Sequence, residues 1–147
     1  MDNQKIHLLL VEDNEDHAEL IIRTLSRLET LIAVHHVSDG ESAMEYLQHR
    51  GQFSSPKECP QPTLILLDLR LPRLDGLSVL KKVKESEKLR LIPTVILTSS
   101  ESETDIYNAY SNHVNSFLVK PMDGIQFTSL IREIEQYWLT LNTPMAQ

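Results

Sequence analysis

The chain has 147 residues, of which 14 are basic and 21 acidic, for a formal net charge of −7. That length suits one domain of about 100–150 residues, and the acidic balance excludes nucleic acid or an anionic membrane as the main partner, since both repel a negative chain. A 41% hydrophobic content excludes disorder throughout, the single cysteine excludes an internal disulfide framework, and no apolar run approaches the roughly 20 residues of a membrane span. The start Met1-Asp2-Asn3-Gln4-Lys5 lacks a secretory leader, so the expectation is a soluble cytoplasmic protein.

Short β-rich runs alternate with amphipathic stretches. Lys5–Val11 is a compact apolar run, short enough for a buried strand. Asn14 offers an N-cap, with Glu15 and Asp16 in the first turn, and Ala18, Ile21, Ile22, Leu25 and Leu28 follow at helical spacing. Leu31–Val37 reads as a second strand, Asp39-Gly40 as a turn and Glu41–His49 as a second helix. Residues 50–62 hold three prolines and one glycine and predict a surface loop. Thr63–Leu67 is a third strand, Leu77–Glu85 a third helix with its lysines outward, and Thr94–Leu97 a fourth strand. Thr104–Tyr110 is a short fourth helix, Ser116–Val119 a fifth strand, and Ile125–Leu139 a last helix striped by Phe127, Leu130, Ile131, Ile134 and Trp138. Residues 141–147 read as a frayed tail. Five β-α units with continuously apolar strands predict an α/β protein, a doubly wound parallel sheet with helices on both faces.

Polar residues collect at the strand ends. Glu12 and Asp13 follow the first strand, Asp68 closes the third, Thr98 the fourth and Lys120 the fifth. Ligands of open α/β sheets bind beyond the carboxyl ends of the strands, where the strand order switches. A flavodoxin-like order, 2-1-3-4-5, would gather three carboxylates, one hydroxyl and one ammonium into one pocket. Three carboxylates alone would repel, and Mg²⁺ relieves that repulsion with oxygen ligands and a phosphate. Lys120 can pair with Asp68 or with a phosphoryl oxygen, and the Thr98 hydroxyl can donate to another. A carboxylate can act as nucleophile and form an acyl phosphate, so the set looks built for phosphoryl transfer onto aspartate.

These motifs resemble the receiver domain of two-component response regulators over about residues 5–140. The resemblance rests on Glu12-Asp13, the run from Leu66 to Gly76 around Asp68, Thr98-Ser99-Ser100 and Lys120-Pro121, in that order. It implies that Asp68 is the phosphoacceptor and that Glu12, Asp13, Asp68 and the Arg70 backbone carbonyl hold Mg²⁺. It further implies that Thr98 and Lys120 contact the phosphoryl group, that Phe117 is the switch aromatic, and that the Lys120–Pro121 bond is cis. The extended 50–62 loop, the stretch from Val114 to Pro121 and that from Ile134 to Leu139 resemble more narrowly the stand-alone regulators paired with cyanobacterial phytochromes. A single receiver domain without an output domain is therefore expected. Its expected partners are a phytochrome-type histidine kinase and a second copy through the fourth helix, fifth strand and fifth helix. His113-Val114 departs from the Gly-Ala that many receivers carry before the fifth strand.

Rival readings meet specific obstacles. An aspartate-nucleophile phosphatase wants a second carboxylate two residues after Asp68, where Arg70 stands. A nucleotide or flavin binder wants a glycine-rich loop after the first strand, where Glu12-Asp13-Asn14 stands. An adaptor that takes no phosphate would not need the full residue set. Cys59 and the histidines show no zinc-ligand spacing and read as incidental, and Lys81, Lys82, Lys84 and Lys88 read as a solvated face.

Overall fold

A computed structural model of the chain describes residues 5–28 and 30–145. Its sheet comprises β1 (Ile6–Val11), β2 (Ile32–Val37), β3 (Leu64–Leu67), β4 (Thr94–Thr98) and β5 (Ser116–Val119). All neighbours pair in parallel in the order β2-β1-β3-β4-β5. The connecting helices are α1 (Glu15–Ser26), α2 (Gly40–Gln48), α3 (Gly76–Glu85), α4 (Glu103–Ser111) and α5 (Gly124–Ile134). The expected α/β fold and strand order are therefore observed.

The continuous apolar runs are explained by burial on both faces. Leu8 and Leu10 of β1 join Ala18, Ile21 and Leu25 of α1 and Phe127 and Ile131 of α5 in one core. Leu9 and Val11 point the other way, into a second core with Met44, Val79, Leu80, Val83 and Ala109 from α2, α3 and α4. Strand residues alternate between faces, so β3 and β4, covered on both faces, hold polar side chains only at their ends, while the edge strand β2 carries His35 and His36.

Each helix starts on a side-chain cap. Asn14, Asp39, Asp75, Ser102 and Asp123 each accept a backbone N–H from the first turn that follows. Such caps satisfy donors that the helix cannot, typically stabilising it by about 1 kcal/mol. Because every helix follows a strand, all five helix N-termini lie on the edge where the strands end.

Several details depart from the sequence expectations. Cys59 is buried, because residues 50–62 are pinned down: the Tyr46 hydroxyl donates to the Pro60 carbonyl at 2.9 Å, and His49 Nε2 lies 2.8 Å from the Cys59 carbonyl. Lys84 leaves the solvated face and folds under α3, where Nζ donates to the carbonyls of Arg90 and Ile92 and to Asn115 Oδ1. The last helix changes to a π-helical turn over Glu135–Leu141. That turn takes more residues, so Leu139 becomes buried and Trp138 only partly. Pro144 and Met145 turn back to line a cavity of about 490 Å³ with Leu91, Ile92 and Pro93, on the edge opposite the strand ends. Residues 146 and 147, part of the expected tail, lie outside the described residues. No described peptide bond is cis, so Lys120–Pro121 is trans. Trans is the lower form of an X–Pro bond by about 0.5–1 kcal/mol, and Lys120 reaches its partners from it.

Candidate functional site

Lys120 sits one residue past β5, its backbone N–H donating to the Thr98 carbonyl at 2.7 Å. Its Nζ lies 2.7 Å from Glu12 Oε1 and 2.9 Å from Asp68 Oδ2, joining the ends of β1, β3 and β5. Glu12, Asp68 and Lys120 are all buried. A buried ion is costly unless paired and hydrogen-bonded, and here each charge has partners. The Glu12 Oε2 atom accepts the Asn14 N–H at 3.1 Å, and Asp68 Oδ1 accepts the Leu69 N–H at 2.6 Å.

The chain around Asp68 folds this way for local reasons. The Asp68 N–H donates to the Val11 carbonyl, continuing the β1–β3 ladder by one step, and the Gly76 N–H returns to the Leu69 carbonyl at 2.9 Å. The start of α3 thus lies against the end of β3, where a Cβ on residue 76 would overlap the Asp68 carbonyl oxygen and Leu69 Cα. Glycine is required there for close approach.

The electrostatics separate the two buried carboxylates. Burial, reinforced by the nearby Asp68 charge, pushes Glu12 up to about 7 against the opposing pull of Lys120. Burial pushes Asp68 up as well, but the Lys120 hydrogen bond and charge outweigh it, with help from the Thr98 hydroxyl, and the net shift is down. Asp68 is therefore the carboxylate held ionised, as a nucleophile must be.

The remaining predicted residues are placed as follows. Asp13 is exposed and lines a cleft of about 360 Å³ with Leu69, Arg70, Pro72, Asp75 and Asp105. The Arg70 guanidinium reaches across this cleft to Asp105 on α4, Nη2 to Oδ2 2.9 Å, and the Ser100 hydroxyl donates to the same oxygen at 2.6 Å. Thr98 is fully buried at the end of β4, its Oγ1 accepting the Ser100 N–H at 3.3 Å. Phe117 is half-buried and packs on the α2–α3–α4 side of the core. Among the described residues no three His, Cys, Asp or Glu side chains form a ready-made cation cage; Glu12 is turned onto Lys120.

Three contributors escaped the sequence reading. His17 Nδ1 lies 2.9 Å from Lys120 Nζ, His36 Nε2 lies 2.8 Å from the Glu12 carbonyl oxygen, and Asp105 ties Arg70 to α4. Isolated histidines at unremarkable spacings carry no pattern that periodicity could reveal. Only Asp105, in the first turn of a helix after Thr98, could have been suspected from its place.

A five-stranded parallel sheet in this order, with buried acids and one ammonium at the strand ends, defines a class, and the comparisons name it. The sequence model of the response regulator receiver domain matches residues 8–132, and the chain belongs to that family. Such regulators are signalling proteins of two-component systems rather than enzymes in the ordinary sense. Among its relatives, the chain is 46% identical to the probable methanogenesis regulatory protein FilR2 of Methanothrix harundinacea, over 92% of this chain and 84% of that protein. It is 36% identical to the response regulator Rcp1 of Synechocystis, over 95% and 93% of the two chains. Among solved structures, the phosphorylated cyanobacterial phytochrome response regulator RcpA superposes with a TM-score of 0.93 at 36% identity, covering 97% of this chain and all of that one (100%). The Mn²⁺-bound form of Rcp1 superposes with a TM-score of 0.90 at 35% identity, over 96% and 99% of the chains.

Proposed function

We propose that Asp68 accepts a phosphoryl group from a histidine kinase and that the resulting aspartyl phosphate changes the protein's contacts. The observation that carries this reading is the single ammonium of Lys120 held within 3 Å of both Asp68 and Glu12, on elements far apart in sequence. An Asp68 oxygen attacks phosphorus, the bond from phosphorus to the donor imidazole breaks, and its electron pair stays on that imidazole. Lys120 moves from carboxylate to phosphoryl oxygen, and the Thr98 hydroxyl donates to another. Most of the rate gain lies in positioning and charge neutralisation.

The donor chemistry fits a hard dication: carboxylate oxygens of Glu12, Asp13 and Asp68 with the Arg70 backbone carbonyl, and no sulfur or imidazole required. The Mn²⁺-bound form of Rcp1 supports such a site in a relative. When bound, Mg²⁺ would offset the charge that gathers as a phosphoryl group meets three carboxylates.

Resemblance to RcpA and Rcp1 supports a phytochrome-type kinase as donor. The higher identity to FilR2 favours a second reading, in which a kinase tied to another stimulus fills that role. For output we propose a second copy of the chain. Tyr107 and Tyr110 of α4, Val119 of β5, Met122 in the β5–α5 loop and Ile125 in the first turn of α5 are exposed apolar side chains on neighbouring elements, and such patches mark interfaces. Sedimentation should show a dimer at tens of micromolar, roughly where a modest interface forms. A monomer with and without phosphorylation would refute it.

The direct test is intact mass after incubation with a small phosphodonor and Mg²⁺. One phosphoryl group should be gained, be labile to base, and be absent in Asp68→Asn. Turnover of phosphate esters would point to a hydrolase, and inertness to small donors and kinases alike to an adaptor.

A further inference from the structure

We infer that His17 is a positioning residue for Lys120, its unprotonated Nδ1 taking the third ammonium proton and so holding the lysine at the phosphoacceptor. This rests on the phosphoacceptor reading of Asp68 and extends it to a residue on α1. An ammonium has three N–H donors and no lone pair. Glu12 Oε1, Asp68 Oδ2 and His17 Nδ1 stand at 2.7, 2.9 and 2.9 Å from Nζ, one acceptor for each donor. The imidazole must then carry its proton on Nε2, the tautomer that leaves Nδ1 free to accept.

The ring is held for that role. The His17 backbone N–H donates to the Asn14 cap at 3.0 Å, fixing the first turn of α1. From α5 the Phe127 ring meets the imidazole at a steep angle, with centroids 5.4 Å apart. The charged groups facing it are Lys120 and Asp68 from the strand ends and Asp16 from its own helix, with Glu12 beyond Lys120. Burial first, and the Lys120 charge second, hold the imidazole below its usual pKa, so it is neutral at physiological pH. A proton on Nδ1 would turn an acceptor into a donor facing an ammonium at 2.9 Å. Acid therefore frees Lys120 from α1, and departure of Lys120 toward a phosphoryl oxygen makes His17 a better base.

The test is ring ¹⁵N NMR of the metal-free protein, with phosphorylation kinetics beside it. At pH 7.5 His17 should show the Nε2–H tautomer, and Lys120→Met should move its titration midpoint upward by ~0.5 unit or more, as loss of a neighbouring cation requires. An Nδ1–H tautomer, or a midpoint that Lys120→Met leaves in place, overturns the proposal. Should Lys120→Met fail to fold, the tautomer in the unaltered protein still decides. With acetyl phosphate and Mg²⁺ between pH 5.5 and 8, His17→Phe should be phosphorylated about tenfold more slowly, the loss expected when an orienting partner goes. His17→Gln, whose amide oxygen can accept but does not titrate, should recover most of that loss and flatten the acid limb. A His17→Phe rate equal to that of the unaltered protein at every pH refutes the role. Failure of the phosphoacceptor reading would instead leave the unaltered protein unphosphorylated while the NMR result stands.

Discussion

His7 and His35 sit on adjacent strands with Nδ1 and Nε2 3.0 Å apart, and His35 stacks near Tyr46. Only one of two facing nitrogens can carry the shared proton, so a second proton must break the pair. Burial, with a nearby positive charge, lowers both pKa values. A lowered imidazole contributes stability that is present above its unfolded value near 6.5 and is lost as pH falls through the folded one. Melting temperatures in chelator should therefore drop below pH 6.5, and the drop should shrink in His7→Phe and His35→Phe. An unchanged acid slope in both variants would contradict the pairing. His113 is a second local case. It takes φ 64° after α4, where an L side chain is strained by about 1–2 kcal/mol. Glycine removes that strain but adds about 0.5–1 kcal/mol of chain entropy to lose. His113→Gly should thus raise unfolding free energy by up to ~1.5 kcal/mol in urea titrations, and a loss would argue against the strain.

Among the elements, α3 is tied down at both ends. At its start Gly76 lies against the Asp68 carbonyl, so Gly76→Ala should cost about 1–3 kcal/mol through overpacking. It should also disturb phosphorylation, since the clash is with the proposed acceptor, Asp68. At its end the Lys84 ammonium gathers the Arg90 and Ile92 carbonyls and Asn115 Oδ1, while the same Asn115 oxygen accepts the Thr94 N–H at 2.8 Å. This knot joins α3 to the first residues of β4 and β5. Lys84→Met keeps the stem and removes the donors, and should cost about 1–2 kcal/mol, with Asn115→Ala adding less than its single effect. Full additivity in denaturant titrations would show that the two act separately. Periodicity placed Lys84 outward with its neighbours, and it could not do otherwise, because a long flexible stem lets the charged head leave the face on which its Cα lies. The π-helical turn escaped for a related reason: at the end of α5 the stripe from Phe127 to Ile134 predicts Trp138 inward, and only tertiary packing selects Leu139.

For the whole molecule, the sheet is legible because its central strands are apolar runs, so a polar residue where such a run ends stands out. Glu12, Asp68, Thr98 and Lys120 were found in this way, and the structure brings them together. Asp13 and Phe117 lie where the strand order sends them, one in the cleft and one on the core. What the sequence does not reveal is held by single contacts between distant segments: His17 with Lys120, Arg70 with Asp105, and Tyr46 and His49 with the loop that carries Cys59. Such contacts have no period and no local motif, and they appear only once the chain is folded. The central proposal is that the ends of four strands, β1, β3, β4 and β5, together make one aspartate the acceptor. Borohydride reduction of the phosphorylated protein, followed by peptide sequencing in a mass spectrometer, tests it most directly, because reduction converts an aspartyl phosphate to homoserine. Homoserine is expected at position 68, in the tryptic peptide from Glu58 to Arg70. Homoserine at Asp13 or Asp105, with Asp68 unmodified, would contradict the account.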